Sequence, residues 1–383
     1  MREVVSPAGK RVKVRSAGGG AVSDLLMLGS NNYLGLANEP AVVSGAIDAL
    51  RTFGAGCGGP PLLNGMTTLH RTLERRLAEH KQCEDAMIFS SGYAANVGWI
   101  TGLLAPGDVL VFDEQSHASV VDGIKQGRVR SRAYLHNDAE AAERALVKAR
   151  ESQENATLVL CTEGVFSMDG DVAPLGELAK RCRSHDALLV IDDAHGTGVL
   201  GPSGQGTPAH FGLAGEVDVV MGTFSKVFAT TGGFIAGRAD LIEYLRYFAR
   251  SYMFSAAVPP PVLGTVLAGL DYMESHPERV SQLHTNVRYL VDGLRAEGFD
   301  VASESAIVPL LLPEHVALQQ VVMRLHDEGL FVNGVAYPAV PKGQERLRLS
   351  VMATFTRSDL DLAIAKLTKV ARELAFLSKE AGR

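Results

Sequence analysis

Among 383 residues the sequence has only four cysteines, Cys57, Cys83, Cys161 and Cys182, and no two fall at CxxC spacing. Scattered thiols of this kind exclude a disulfide framework and a cysteine zinc site, and they fit reduced thiols in a cytoplasmic protein. Long basic runs are lacking too: 37 Lys and Arg stand against 43 Asp and Glu, for a net charge of −6. That balance argues against nucleic acid as the main partner. No apolar run approaches the ~20 residues of a membrane span. The most apolar helical stretch, near residues 261–270, opens in three prolines and reads as a packed core helix. The opening MREVVSPAGKRVKVRSAGGG is charged and broken by Pro and Gly, unlike a signal peptide. Internal repeats and low-complexity segments are missing, so solenoids and disordered arrays are set aside.

What is present is an ordinary globular composition, 46% apolar and 21% charged, in a chain long enough for two domains. From about residue 40 helix-type and strand-type stretches alternate. RTLERRLAEHK has leucines at helical spacing, DAMIF is a short strand, and GYAANVGWITGLL is a helix opening on glycine. DVLVFD, TLVLCTE, ALLVIDD and VDVVMGT are strands, with AEAAERALVKARE and LGELAKRCRSHD as helices between some of them. Continuous apolar strands separated by helices predict a mostly parallel sheet covered on both faces. The pattern changes after residue 272 to a smaller α+β unit that closes on SDLDLAIAKLTKVARELAFL, with Ser or Thr available to cap it. The expected division is an arm over 1–37, a large domain over 38–272 and a small domain over 273–383. The seam between domains is a natural place for a pocket.

Several strand ends carry polar groups that a plain core does not need. LVIDDAHGTGV ends an apolar run in two aspartates and a histidine; a surface turn is one reading, a site at the carboxyl end of a sheet strand the other. SSGYAAN places small residues at a helix start, where free N–H groups hold anions. His117 in DEQSHAS and Ser167 in EGVFSMDGD follow strands in the same way, although a lone His or Ser there is commonly structural. GTFSKVFATTGG sets Thr223, Ser225 and Lys226 after VDVVM. A lysine at a buried strand end is a costly charge unless it is paired or covalently used, and desolvation favours its amine as a nucleophile. With Asp192 on the preceding strand end, the set suggests pyridoxal phosphate (PLP). The lysine would bind the aldehyde, the aspartate would keep the ring nitrogen protonated, and hydroxyls with helix N–H groups would hold the phosphate.

SNNYLGL, SSGYAANVG, SHASVVDG, EGVFSMDGDVAPL, DDAHGTGVLG, TFSK with its following GG, and RLRLSV occur in the order and spacing of one family. From about residue 25 onward the chain resembles the α-oxoamine synthases, PLP-dependent C-acyltransferases with the aspartate-aminotransferase α/β fold. The resemblance implies a large domain with a mostly parallel sheet and a smaller C-terminal α+β domain. Carried over by position, Lys226 is the Schiff-base lysine and Cα base, Asp192 holds the pyridine nitrogen, and His195 bonds the phenolic oxygen with Ser167. His117 stacks on the ring. The Gly92 and Tyr93 N–H groups and the Thr223 hydroxyl hold the phosphate. Arg348 clamps the amino acid carboxylate with help from Asn32, while Asp193 and Arg346 are structural. Ser255 in MFSAAVPP reaches the partner's phosphate in a homodimer with a shared active site, but Ala256 stands where a polar side chain is usual. No metal is implied.

The implied reaction condenses glycine, alanine or serine with an acyl thioester, on coenzyme A or an acyl carrier protein, to an α-amino ketone. Three departures bear on the acyl group. The chain starts later than typical members, so the helix that brings an arginine to a distal carboxylate is expected to be missing, which disfavours a pimeloyl donor. Pro61 stands where an arginine is common and Met66 where a threonine is common. Phe355 occupies a usual histidine position. Rival readings are an aminotransferase or aldolase on the same fold, and a non-catalytic partner subunit; the presence of Lys226 and Asp192 weighs against the latter.

Overall fold

Val159, Cys161 and Val190 alternate along their strands with Leu160, Leu189 and Ile191, and the two sets pack into different hydrophobic clusters. This period-two division is what a strand buried on both faces requires. The structure, a computed structural model, describes residues 2–15 and 20–377. It divides into two units, one comprising Pro40–Phe166 and Val172–Pro277, the other Met1–Glu39, Ser167–Asp171 and Glu278–Arg383.

The larger unit is built on a seven-stranded sheet ordered Asp85–Phe89, Gly233–Gly237, Val219–Thr223, Ala187–Asp192, Leu158–Glu163, Val109–Asp113, Arg130–Tyr134. Only Gly233–Gly237 runs against the others. The helices Gly92–Leu103, Ala118–Gly127 and Ala239–Phe248 cover one face through Trp99, Ile100, Ile124 and Leu245. Ala139–Ser152 and Leu175–Ser184 cover the other through Leu146 and Leu178. Pro260–Ser275 is a packed helix, as its apolar sequence predicts. It meets Pro40–Phe53 so closely that a Cβ on Gly264 would stand 2.3 Å from the Gly45 carbonyl oxygen.

The smaller unit holds two sheets. In one, Arg11–Arg15 pairs antiparallel with Val22–Met27, which pairs in parallel with Leu330–Phe331. In the other, Arg346–Ser350 lies between Ile307–Leu311 and Asn333–Val335. The helix Arg357–Glu373 starts in a capping box, where Asp359 N–H donates to Thr356 Oγ1 at 3.3 Å and Thr356 N–H to Asp359 Oδ2 at 2.9 Å. Among the described residues no helix is long and apolar enough to cross a membrane.

Candidate active site

Three neighbouring parallel strands end in polar side chains: Leu158–Glu163 in Glu163, Ala187–Asp192 in Asp192 and Val219–Thr223 in Thr223. Asp192 is 4% exposed; its Oδ2 accepts from Asn96 Nδ2 at 2.7 Å and its Oδ1 from Ala194 N–H at 3.1 Å. Asn96, in the helix Gly92–Leu103, is itself held. Its Nδ2 also donates to Ser119 Oγ at 2.9 Å, and its Oδ1 accepts from Trp99 Nε1 at 3.0 Å. Ser119 Oγ lies 2.7 Å from His117 Nδ1, and Ser119 N–H donates to the same nitrogen at 3.2 Å. Since Ser119 Oγ already accepts from Asn96, it has its proton to give to His117. Nδ1 is then the acceptor and the ring proton sits on Nε2. The His117 ring itself is exposed.

Glu163 is in register with Asp192 and 3% exposed, and its Oε1 has no hydrogen-bond partner among the described residues. Burial, then repulsion from Asp192, pushes the Glu163 carboxyl well above its ordinary value. Burial also raises Asp192, held back by the Asn96 hydrogen bond and by the nearby His117 and Lys226. Repulsion disfavours a charge on both of these neighbouring buried carboxyls, and the one with fixed donors, Asp192, is the better anion. Lys226 is half-buried, three residues past the strand end, and its charge is felt by both carboxyls. His195 is buried in the turn that follows Asp192.

The helix Gly92–Leu103 is capped by Ser91, whose side chain accepts from Ala94 N–H at 3.0 Å. The first N–H groups of the helix, on Gly92 and Tyr93, have no intrahelical acceptor. A Cβ on Gly92 would stand 2.9 Å from Thr223 Cβ, and one on Gly233 would stand 2.6 Å from Gly92 N. The lack of side chains at both positions thus brings the helix start, Thr223 and the antiparallel strand together. Thr223 Oγ1 donates to the Gly232 carbonyl at 3.1 Å and lies 2.9 Å from Ser225 Oγ, so its proton is already engaged, while Ser225 is exposed. Ser255 is half-buried and lines a small cavity with Ser90, Ser251, His70 and Tyr252. Pro61 opens the short helical turn Pro61–Gly65, and Met66 follows it directly.

In the smaller unit Arg348 is 5% exposed, on the central strand of its sheet. Its Nη1 donates to Asn31 Oδ1 at 3.0 Å and Ser350 Oγ at 3.1 Å, and its Nε to the Ser167 carbonyl. Among the described residues no carboxylate is within salt-bridge reach of it, whereas Arg346 on the same strand pairs with Asp169. The expected helper Asn32 is not the Arg348 partner: its Oδ1 accepts from Ala37 N–H at 3.3 Å, within its own turn. Asn31 takes that place, and neither it nor Asn96 nor Ser119 stands out from the sequence pattern. Phe355 is buried.

The larger unit therefore presents a buried anion, a half-buried amine, an exposed imidazole and open helix N–H groups. That donor set fits a ligand with a protonated ring nitrogen, an aldehyde and a phosphate. Comparison with known proteins agrees. Residues 23–367 match the family of class I and II aminotransferases. The chain is 41% identical to an 8-amino-7-oxononanoate synthase of Symbiobacterium thermophilum over 355 residues, 92% of this chain and 90% of that one. It is also 41% identical to a serine palmitoyltransferase of Sphingobacterium spiritivorum over 350 residues, 91% of this chain and 87% of that one. A serine palmitoyltransferase from S. paucimobilis, solved with a bound PLP–myriocin aldimine, superposes with a TM-score of 0.92 at 32% identity, covering 98% of this chain and 94% of that one.

Proposed function

The chain belongs to the α-oxoamine synthases, within the class I and II aminotransferase family, and from that membership we propose that it condenses a small L-amino acid with an acyl thioester. The amino acid is glycine, alanine or serine, and the products are an α-amino ketone, carbon dioxide and the free thiol. PLP, the cofactor, supplies when bound an aldehyde for amines and a ring that takes up the electrons of a bond broken at Cα.

The residues divide the remaining work. The Lys226 amine would hold the cofactor aldehyde and would serve as the base for the Cα proton of the amino acid. The Asp192 carboxylate keeps a proton on the ring nitrogen, and Asn96 fixes the orientation of that carboxylate. His195, with Ser167 assisting, would donate to the phenolic oxygen of the bound cofactor, and His117 would stack on its ring. The N–H groups of Gly92 and Tyr93, joined by the Thr223 or Ser225 hydroxyl, hold the phosphate. Arg348 takes the amino acid carboxylate, with Asn31 beside it.

Arg348 carries the amino acid half of this reading. A buried guanidinium held only by neutral acceptors is costly, and a substrate carboxylate offers it a bidentate counter-ion. The enzyme works as a homodimer in the cytoplasm, Ser255 serving the partner's phosphate. An apolar stripe on the helix Pro40–Phe53, exposed at Val43, Ile47, Leu50 and Phe53, supports a second copy as partner. The acyl donor is carried on coenzyme A or on a carrier protein.

Thiol release by the PLP-loaded protein tests the reaction. Release is expected only when amino acid and acyl thioester are both present; keto acid formation without thiol would make the chain an aminotransferase. Arg348→Lys should raise KM for the amino acid about tenfold or more, leaving KM for the thioester unchanged.

A further inference from the structure

A second carboxylate, Asp193, follows Asp192 directly and is fully buried. Lys81, the last residue of the helix Thr68–Lys81, reaches it with a side chain only 1% exposed. The Lys81 ammonium donates to Asp193 Oδ2 at 2.8 Å, Thr197 Oγ1 at 2.7 Å and the Gln205 carbonyl at 2.6 Å, which uses all three of its protons. Asp193 Oδ1 accepts from Thr207 N–H at 3.1 Å and Thr207 Oγ1 at 2.7 Å. The Thr197 hydroxyl donates back to the Asp193 carbonyl at 2.8 Å.

Backbone closes around this pair. A Cβ on Gly206 would stand 1.8 Å from Asp193 Oδ2 and 2.7 Å from Lys81 Nζ; one on Gly196 would stand 2.0 Å from Asp193 Oδ1. The Asp193 N–H donates to the Met221 carbonyl at 2.8 Å, and the Asp192 carbonyl accepts from Gly164 N–H at 2.7 Å. The segment carrying Asp192 and His195 is thus tied to both neighbouring strand ends and, through one ammonium, to a separate helix. Stability alone is a weak reason to keep such a pair, because well-packed apolar side chains of similar volume often do as well.

We propose that Lys81 is a positioning residue for the reaction: by anchoring Asp193 and Thr197, it fixes the backbone that carries Asp192 and His195. The inference rests on the assignment of Asp192 to the ring nitrogen. Three chains test it: Lys81→Met, Lys81→Met with Asp193→Asn, and the control Arg246→Met with Glu74→Gln. The control removes another buried pair of the same unit, 2.9 Å apart.

The readouts are the dissociation constant of PLP from the apo-protein, the apo-protein melting temperature, and kcat against KM. Both Lys81 variants should bind PLP about tenfold more weakly or worse, and lose kcat with KM for the amino acid little changed. The control should lower the melting temperature without moving PLP affinity. If Lys81→Met does not fold, the double variant decides, since it leaves no unpaired buried charge. Parental PLP affinity and kcat in the double variant would overturn the proposal alone. Parental PLP affinity in a separate Asp192→Asn chain would overturn the site assignment, and the proposal with it.

Discussion

Glu163 and Asp192 sit at adjacent strand ends, and only one of them is well supplied with donors. Below the ordinary carboxyl value of 4.5, Glu163 is protonated in folded and unfolded chains alike. Above it the unfolded chain gives up that proton while the folded chain retains it, so stability falls as pH rises toward the raised folded value. Glu163→Gln removes the titrating group but keeps its shape. The melting temperature of the apo-protein of this variant should therefore gain on the parent as pH rises above the ordinary carboxyl value; equal slopes would place the proton elsewhere. Lys226 and Asp192 are conspicuous in the sequence because a charge at the end of an apolar strand has no bland use in a core. Asn96 and Ser119 are hidden for the opposite reason: an amide and a hydroxyl in a buried helix face look like any satisfied polar residue. Asn31 and Asn32 are chemically identical neighbours, and only the path of the backbone separates the one that meets Arg348 from the one that closes its own turn.

Strands that are buried on both faces announce themselves by unbroken apolar runs, and five of the seven in the large sheet were readable in this way. Arg130–Tyr134 was not, because RSRAY is an edge strand whose first four residues are exposed. Charge at an edge discourages pairing with another chain and erases the apolar signal at the same time. Gly233–Gly237 is short and bounded by glycines, so its sequence reads as a turn. Its first glycine has a specific use: a methyl there would meet the backbone of Gly92 on one side. Gly233→Ala should cost about 1–3 kcal/mol by overpacking, seen as a lower melting temperature, and should weaken PLP binding by displacing the helix start. Unchanged PLP affinity would detach the helix start from the phosphate. In Arg11–Arg15, RVKVR, the valines alternate with charges and are buried, a legible strand signal that the charged, Pro- and Gly-broken surroundings mask.

For the whole molecule, composition places the chain among globular proteins, the alternation of apolar strands with helices gives the α/β class, and the ordered motifs lead to its family. How the chain distributes itself is harder to read, since pairing partners far apart in sequence leave no local mark. The exposed stripe Val43, Ile47, Leu50 and Phe53 recurs at helical spacing on one face. If this face holds the proposed second copy, Ile47→Asp should lower the mass seen in sedimentation and lower activity with it; an unchanged mass would count against this face as the contact. The parallel pairing of Val22–Met27 with Leu330–Phe331 has a consequence during synthesis. A ribosome adding ~5–20 residues per second needs roughly 15–60 s to cover the intervening stretch. Throughout that interval the nascent strand has one open edge. Asp24, the one charged side chain of that strand, is then the guard it carries against premature association with another emerging chain.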